Sequence, residues 1–178
     1  MLASRFRLLI AASLVTALSG CSVVIDRATS AVLGEKGYVM TGESMEPTLI
    51  KGGQFTASMI RGEYIPRIGD VVVFDAPDWE EKHSFVSRVI GGPGTRVECC
   101  HSDGRLLVNG VPLEEPYLYP GDAPSDYPFA VTVPAGRLWL MSDHRAVALD
   151  SRAHQGDPGG GTIAVTDVLS VVETDDSE

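Results

Sequence analysis

The sequence predicts an all-β fold, with a core of antiparallel β-sheet, a loop-rich β insertion and a preceding N-terminal hydrophobic helix. Three observations carry this prediction. Short apolar runs recur along the body, turn residues separate them, and no stretch after residue 30 shows clear helical periodicity. The 19 glycines and 11 prolines among 178 residues fit many short strands joined by turns.

Individual strands follow from these runs. Residues 71–74 (VVVF) come directly after a Gly-Asp turn, and residues 85–90 form an alternating, β-branched run. Residues 106–111 (LLVNGV) place an Asn-Gly pair between two apolar stretches, which is a strong hairpin signal. Further strands are predicted at residues 131–133, 138–141 and 162–172.

Composition limits the classes of function. Hydrophobic residues make up 44% of the chain and charged residues 21%, which is typical of a globular protein with a core. The 24 acidic and 14 basic residues give a net charge of −10, which argues against a nucleic-acid partner. The cysteines lack zinc or redox spacing, so no metal site is predicted. Cys99 and Cys100 are adjacent, and we expect them to remain an unbridged thiol pair.

The N-terminus predicts export or anchoring. Arg5 and Arg7 precede the uncharged apolar residues 8–25, which places the body on the outer face of a membrane. Residues 8–25 are either an uncleaved anchor or a signal peptide, because residues 18–21 (LSGC) resemble a lipobox with cleavage before Cys21. The predicted organisation is an anchor at 1–30, a β domain at 31–172 with an insertion at about 92–128, and an acidic tail at 173–178.

Four segments of the body resemble, in order and at family spacing, the signature boxes of the bacterial type I signal peptidase family. They are residues 42–49 (GESMEPTL), 69–74 (GDVVVF), 87–94 (SRVIGGPG) and 142–152 (SDHRAVALDSR). The Asn-Gly pair and residues 115–117 (EPY) also match the linking hairpin of that family. The resemblance covers about residues 38–172. It implies a β core of the signal peptidase or LexA-like type, and it favours the uncleaved anchor.

The resemblance places the nucleophile of a serine endopeptidase at Ser44. A serine in a Gly-rich turn is, taken alone, more often a plain turn residue. In the context of the four boxes, the Ser44 hydroxyl is expected to attack the scissile carbonyl, while its backbone N–H stabilises the oxyanion. Gly42 stands where some relatives carry a second hydroxyl donor, so that donor is absent.

The base of this family is a lysine, and its position here is Ser87. A serine hydroxyl cannot act as a general base at neutral pH. The serine that orients the family lysine corresponds to Ala148, and the usual glycine before Asp143 is Ser142. We therefore expect a divergent member without the catalytic lysine. His144 is the surrogate base considered first, ahead of two residues that precede the third box, Lys82 and His83.

The remaining positions of the resemblance have structural or binding roles. By position, Tyr38, Met40 and Val86 are expected to line small apolar substrate pockets, although each would serve equally well as an ordinary core residue. Four charged residues of the last box are expected to brace the loop beside the active site, or else to form a surface salt-bridge network. They are Asp143, Arg145, Asp150 and Arg152.

Two hypotheses of function follow from the resemblance. The first is a membrane-tethered serine endopeptidase that removes signal peptides from exported preproteins on the extracytoplasmic face, without a cofactor. The second is a catalytically impaired homologue that binds such segments or pairs with an active paralogue. Expected partners are preproteins or their signal peptides and membrane lipid. A self-cleaving repressor of related fold is disfavoured because no DNA-binding helix pair or basic patch is present.

Overall fold

A computed structural model describes residues 34–174, and β-strands dominate this part of the chain. Its helical structure consists of two 3₁₀ turns, Pro77–Trp79 and Val165–Asp167. The strands, in chain order, are β1 Glu35–Val39, β2 Gln54–Met59, β3 Val71–Asp75, β4 Ser84–Gly91, β5 Arg96–Cys99, β6 Leu106–Val108, β7 Val111–Pro112, β8 Phe129–Thr132, β9 Arg137–Met141, β10 Ile163–Ala164 and β11 Val168–Val172.

These strands form two sheets with antiparallel pairing. The larger sheet has the order β1-β2-β11-β3-β4-β9-β10, and the smaller has the order β7-β6-β5-β8. Strand β3 lies inside the larger sheet and is buried on both faces. Val72 and Phe74 pack into one apolar cluster, whereas Val71 and Val73 pack into another on the opposite face. Burial on both faces explains why this strand is a continuous apolar run.

The prediction of an antiparallel all-β fold is confirmed. The predicted strand at 162–172 is instead two strands, β10 and β11, because the 3₁₀ turn Val165–Asp167 interrupts it. The predicted N-terminal helix and the end of the acidic tail lie outside the described residues. Within residues 34–174, no helix has the length and apolar character needed to cross a membrane.

The smaller sheet is built from residues within the stretch 96–132, and the Asn-Gly hairpin joins its strands β6 and β7. Its core includes Val97, Leu106 and Phe129, which pack with Trp139 of β9. The expectation that Cys99 and Cys100 stay unbridged is wrong, since a disulfide joins them at the end of β5. The argument against it was the strain expected in the peptide that links two adjacent bridged cysteines.

Two strand edges of the larger sheet are open, one at β1 and the other at the start of β4, which face opposite ends of the strand order. Strand β9 pairs with β4 only from Arg88 to Gly91, so residues 84–87 have β3 as their one neighbour among the described strands. Strand β1 is an edge strand that pairs with β2 alone. An open strand edge presents unpaired N–H and C=O groups that a further extended chain can bind.

The turn before β10 contains a sensitive glycine, Gly161. It has a φ of +81°, and an added Cβ would collide with the carbonyl oxygen of Ser151. We expect Gly161→Ala to lower the free energy of unfolding by at least about 2 kcal/mol. The strain of a positive φ and the clash of the new methyl group with the Ser151 carbonyl both destabilise the folded state. The matched control is Gly160→Ala, at φ +60° with open space around the new methyl group, which should cost only roughly 1 kcal/mol. Urea denaturation compares the two, and equal losses would contradict the role of the Ser151 contact.

Candidate active site

A groove of about 420 Å³ runs along the open edge of β4. One wall comes from the end of β1 and the turn after it, and the other from the start of β4. The lining residues include every substrate-pocket position predicted from the sequence, namely Tyr38, Met40 and Val86, together with Ser44 and Ser87. The structure therefore brings the first and third boxes together in one groove.

Ser44 lies in the turn that follows β1, and its side chain is half-buried. Its carbonyl oxygen accepts a hydrogen bond of 2.9 Å from the backbone N–H of His144, which connects the turn that carries Ser44 to the last box. Within residues 34–174, neither its hydroxyl nor its N–H has a hydrogen-bond partner. Both groups are thus available to a ligand that enters the groove.

Ser87 and Ser142 form a pair of buried hydroxyls at this groove. Their Oγ atoms are 2.8 Å apart, and the two residues are 4% and 3% exposed. The N–H of Ser142 donates to Asp150 and its carbonyl accepts from Arg145, so the backbone of Ser142 is held on both sides. The sequence analysis did not predict this pairing of the Ser87 hydroxyl with a second serine.

Three titratable side chains line the groove within the described residues, and each has a partner. The Tyr38 hydroxyl lies 3.0 Å from the Ser170 hydroxyl. A hydrogen bond from Lys51 at 2.7 Å lowers the pKa of the exposed Glu43 carboxyl, so Glu43 is a weak base. The exposed His83 imidazole lies 3.5 Å from Glu81 and packs on Phe85.

His144 and Ala148 belong to the last box, but neither is among the residues that line the groove. The His144 ring stacks on Tyr119 with 3.8 Å between ring centroids, and its Nδ1 is buried without a hydrogen-bond partner among the described residues. Val147 and Leu149, which flank Ala148, do line the groove. His83 rather than His144 is therefore the imidazole that faces this space.

The four charged residues of the last box lie in buried ion pairs rather than in a surface network. Arg152 contacts Asp150 at 2.8 Å, and Asp150 also accepts the N–H of Ser142. Arg145 pairs at 2.6 Å with Glu115 of the insertion, and both side chains are buried. Through these contacts the insertion is attached to the loop that carries Ser142.

The fourth residue, Asp143, has a partner that sequence reasoning missed. Arg88 of β4 binds both carboxylate oxygens of Asp143, at 2.9 and 2.8 Å, and lies 3.9 Å above the Tyr117 ring. Thr48, in the turn that carries Ser44, donates to the same carboxylate at 2.5 Å. An arginine within an otherwise apolar strand was the available signal, because a buried guanidinium needs a buried acid.

Comparison with known proteins places this chain in a family. The model of the family described as signal peptidase, peptidase S26, matches residues 10–174, which is more than half of the chain. A probable signal peptidase I of Mycobacterium leprae is 33% identical over 188 residues, covering 74% of this chain and 65% of that protein. A signal peptidase I of Mycobacterium tuberculosis is 34% identical over 181 residues, covering 74% of this chain and 61% of that protein. The chain thus spans less than two thirds of these two relatives.

The match to a further relative covers a slightly larger share of that relative's length. Signal peptidase IB of Staphylococcus aureus is 36% identical over 134 residues, covering 65% of this chain and 67% of that protein. Among solved structures, a signal peptidase I from Enterococcus faecalis has a TM-score of 0.48 and 25% identity, covering 62% of this chain and 98% of that chain. The chain belongs to the signal peptidase family, as its four boxes indicated.

Proposed function

We propose that this protein is a membrane-tethered serine endopeptidase of the signal peptidase I type, which removes signal peptides from exported preproteins. The observation that carries the proposal is the groove, which places the Ser44 hydroxyl beside an open strand edge. Residues 84–87 can pair with an extended peptide, and apolar walls at Met40, Val73 and Val86 suit small apolar side chains. Signal peptidase I is also what the matched relatives are named.

The chemical steps use groups at one end of the groove. The Ser44 oxygen attacks the carbonyl carbon of the scissile amide, and the free N–H of Ser44 donates to the oxyanion that forms. The proton of the Ser44 hydroxyl is transferred to the amide nitrogen, the carbon–nitrogen bond breaks and the amine leaves. Water then hydrolyses the acyl ester and restores the Ser44 hydroxyl. Neither step has a lysine within the groove to move the proton, so we propose slow turnover. Rate enhancement without a base still reaches roughly 10³–10⁴-fold over water in serine peptidases.

Location and partners belong to the same proposal. The basic residues before the uncharged stretch 8–25 support a tether that leaves the β domain on the extracytoplasmic face. Val147 and Leu149, which line the groove, are 50% and 74% exposed, and they suit a groove that works close to lipid. Exported preproteins and membrane lipid are the partners proposed here. An anchor at residues 8–25 is preferred to a lipid on Cys21.

A second candidate function rests on the hydroxyl pair. Because Ser87 and Ser142 bond each other where a base is needed, the protein would hold signal-peptide-like segments without cutting them, alone or beside an active paralogue. In this case the groove and its open strand edge keep their binding role. Peptide binding without cleavage distinguishes this candidate from the first.

Ser44→Ala is the direct test of the endopeptidase. We expect the full chain in detergent to cleave a preprotein slowly and the variant to give no cleavage above buffer, because the nucleophilic oxygen is gone. Gel analysis with mass spectrometry of the product measures both. Ser58→Ala is a matched control, since this serine lies outside the groove and its hydroxyl bonds Glu173. Equal cleavage by the unchanged chain and Ser44→Ala would overturn the assignment of Ser44. Binding without cleavage by the unchanged chain would establish the second candidate.

A further inference from the structure

The hydroxyl pair of Ser87 and Ser142 has hydrogen-bonding capacity that the protein does not use. Two hydroxyls offer two protons and several lone pairs, and the single bond between them uses one proton and one lone pair. Within residues 34–174 these two hydroxyls have no other partner. Both side chains are buried and line the groove, so the hydrogen-bonding groups they leave unused adjoin the groove. A ligand that enters the groove displaces water from them.

The register of the sheet decides which part of a bound peptide meets this pair. Directly opposite residues of adjacent antiparallel strands have their side chains on the same face. Ser87 is opposite Val72 of β3, and that face is separate from the one on which Val73 and Val86 pack. A peptide added along the open edge of β4 therefore points one side chain, that of the residue opposite Ser87, towards the hydroxyl pair. Its neighbours point to the apolar wall.

We infer that the Ser87–Ser142 pair is a specificity determinant that selects a serine side chain at the peptide position opposite Ser87. This inference rests on the proposed function, which supplies the extended peptide in the groove. A serine hydroxyl at that position accepts a hydrogen bond from the unused O–H of the pair and donates its own O–H to an unused lone pair. The buried hydroxyls of Ser87 and Ser142 then have all their hydrogen bonds. An alanine there leaves the pair as it is. Larger side chains are excluded because the bonds to Asp150 and Arg145 prevent Ser142 from moving away.

The experiment is a serine scan of a blocked, alanine-rich peptide, measured by calorimetric binding to the full chain in detergent. Ser44→Ala is the background, because it prevents cleavage and removes the Ser44 hydroxyl as an alternative partner for a serine of the peptide. One alanine-to-serine change in the peptide should tighten binding about fivefold, and changes at the neighbouring positions should not. Adding Ser87→Ala or Ser142→Ala to the protein should abolish the gain. Adding Ser58→Ala should keep it, since that serine lies outside the groove and its hydroxyl bonds Glu173.

The possible results are distinguishable. Binding of every peptide with equal affinity, or a serine gain that persists in both pair variants, overturns this inference and leaves the proposed function standing. Failure of all peptides to bind overturns the proposed function and this inference with it. Because Ser87→Ala and Ser142→Ala are each tested, misfolding of one variant still leaves the other to decide the result.

Discussion

Combining Ser87→Lys, Ser142→Gly and Ala148→Ser is expected to speed preprotein cleavage about 10²–10⁴-fold, the usual contribution of a positioned general base. Ser87 is 4% exposed at the groove that holds Ser44, so an amine there would be desolvated and its pKa lowered towards neutrality. Ser142→Gly is needed because the Ser142 hydroxyl now lies 2.8 Å from the Ser87 oxygen, where the longer side chain must pass. Ala148→Ser adds a hydroxyl at the position where the resemblance to the family implies a serine that orients the lysine.

The matched control carries Ser87→Met in place of Ser87→Lys, with the other two changes kept. Methionine fills similar space without an amine, so any gain of the lysine variant over it belongs to the base. Activity of the lysine variant should rise with pH, since the lysine accepts a proton only after it has lost its own. Adding Ser44→Ala should remove the gain. A lysine variant no faster than the methionine control would show that Ser87 does not lie within reach of the Ser44 hydroxyl.

Sequence reasoning predicted the fold well where single strands have unambiguous patterns. The run at residues 71–74 and the Asn-Gly hairpin are strands in the structure because their burial and turn chemistry are local properties. The break between β10 and β11 was missed because residues 162–172 are β-rich throughout, and a 3₁₀ turn of three residues leaves no periodic signal. The disulfide of Cys99 and Cys100 was missed because strain in the linking peptide was expected to prevent it.

The candidate site was predicted in part, and the missing part depends on contacts between distant residues. Motif order located Ser44 and Ser87, and both line the groove. Motif order could not indicate that Ser142, 55 residues after Ser87, bonds it. The sequence analysis ranks His83 behind His144 as a base, and an extended strand places His83 roughly 13 Å from Ser87. That distance is compatible with its lining the far part of a groove that follows the same strand.

The second large effect concerns Arg88. We expect Arg88→Met to lower the free energy of unfolding by about 3–5 kcal/mol, because it leaves the buried Asp143 carboxylate with no cation. The side chains of Arg88 and Asp143 are 1% and 0% exposed, so water cannot replace the lost bonds. Burial raises the pKa of the Tyr117 phenol, which therefore stays neutral beneath the guanidinium and offers only its ring face. Urea denaturation of the full chain in detergent measures the loss.

A matched pair of variants separates the buried charge from the loss of packing. Arg96→Met removes an arginine from a solvent-exposed pair with Glu98 and should leave the urea midpoint almost unchanged. Arg88→Met combined with Asp143→Leu should be more stable than Arg88→Met alone, although it deletes more of the native contacts. Replacing a whole buried ion pair by apolar groups removes the unpaired charge that makes the single change costly. Recovery should be incomplete, because Thr48 then loses its acceptor and the Gly69 carbonyl its donor.

The same variants test whether this ion pair supports the site. Thr48 and Ser44 belong to one turn, and the Asp143 carboxylate holds Thr48 while the next residue, His144, holds the Ser44 carbonyl. Loss of the Asp143 carboxylate should therefore make the turn that carries Ser44 and Thr48 more mobile, even in a chain that remains folded. We expect the variant with Arg88→Met and Asp143→Leu to bind the alanine-rich peptide more weakly than the Arg96→Met variant does. Both affinities are measured at a urea concentration at which both variants are still folded. Equal binding would confine the role of Arg88 and Asp143 to stability, and the position of Ser44 would then depend on the His144 hydrogen bond alone.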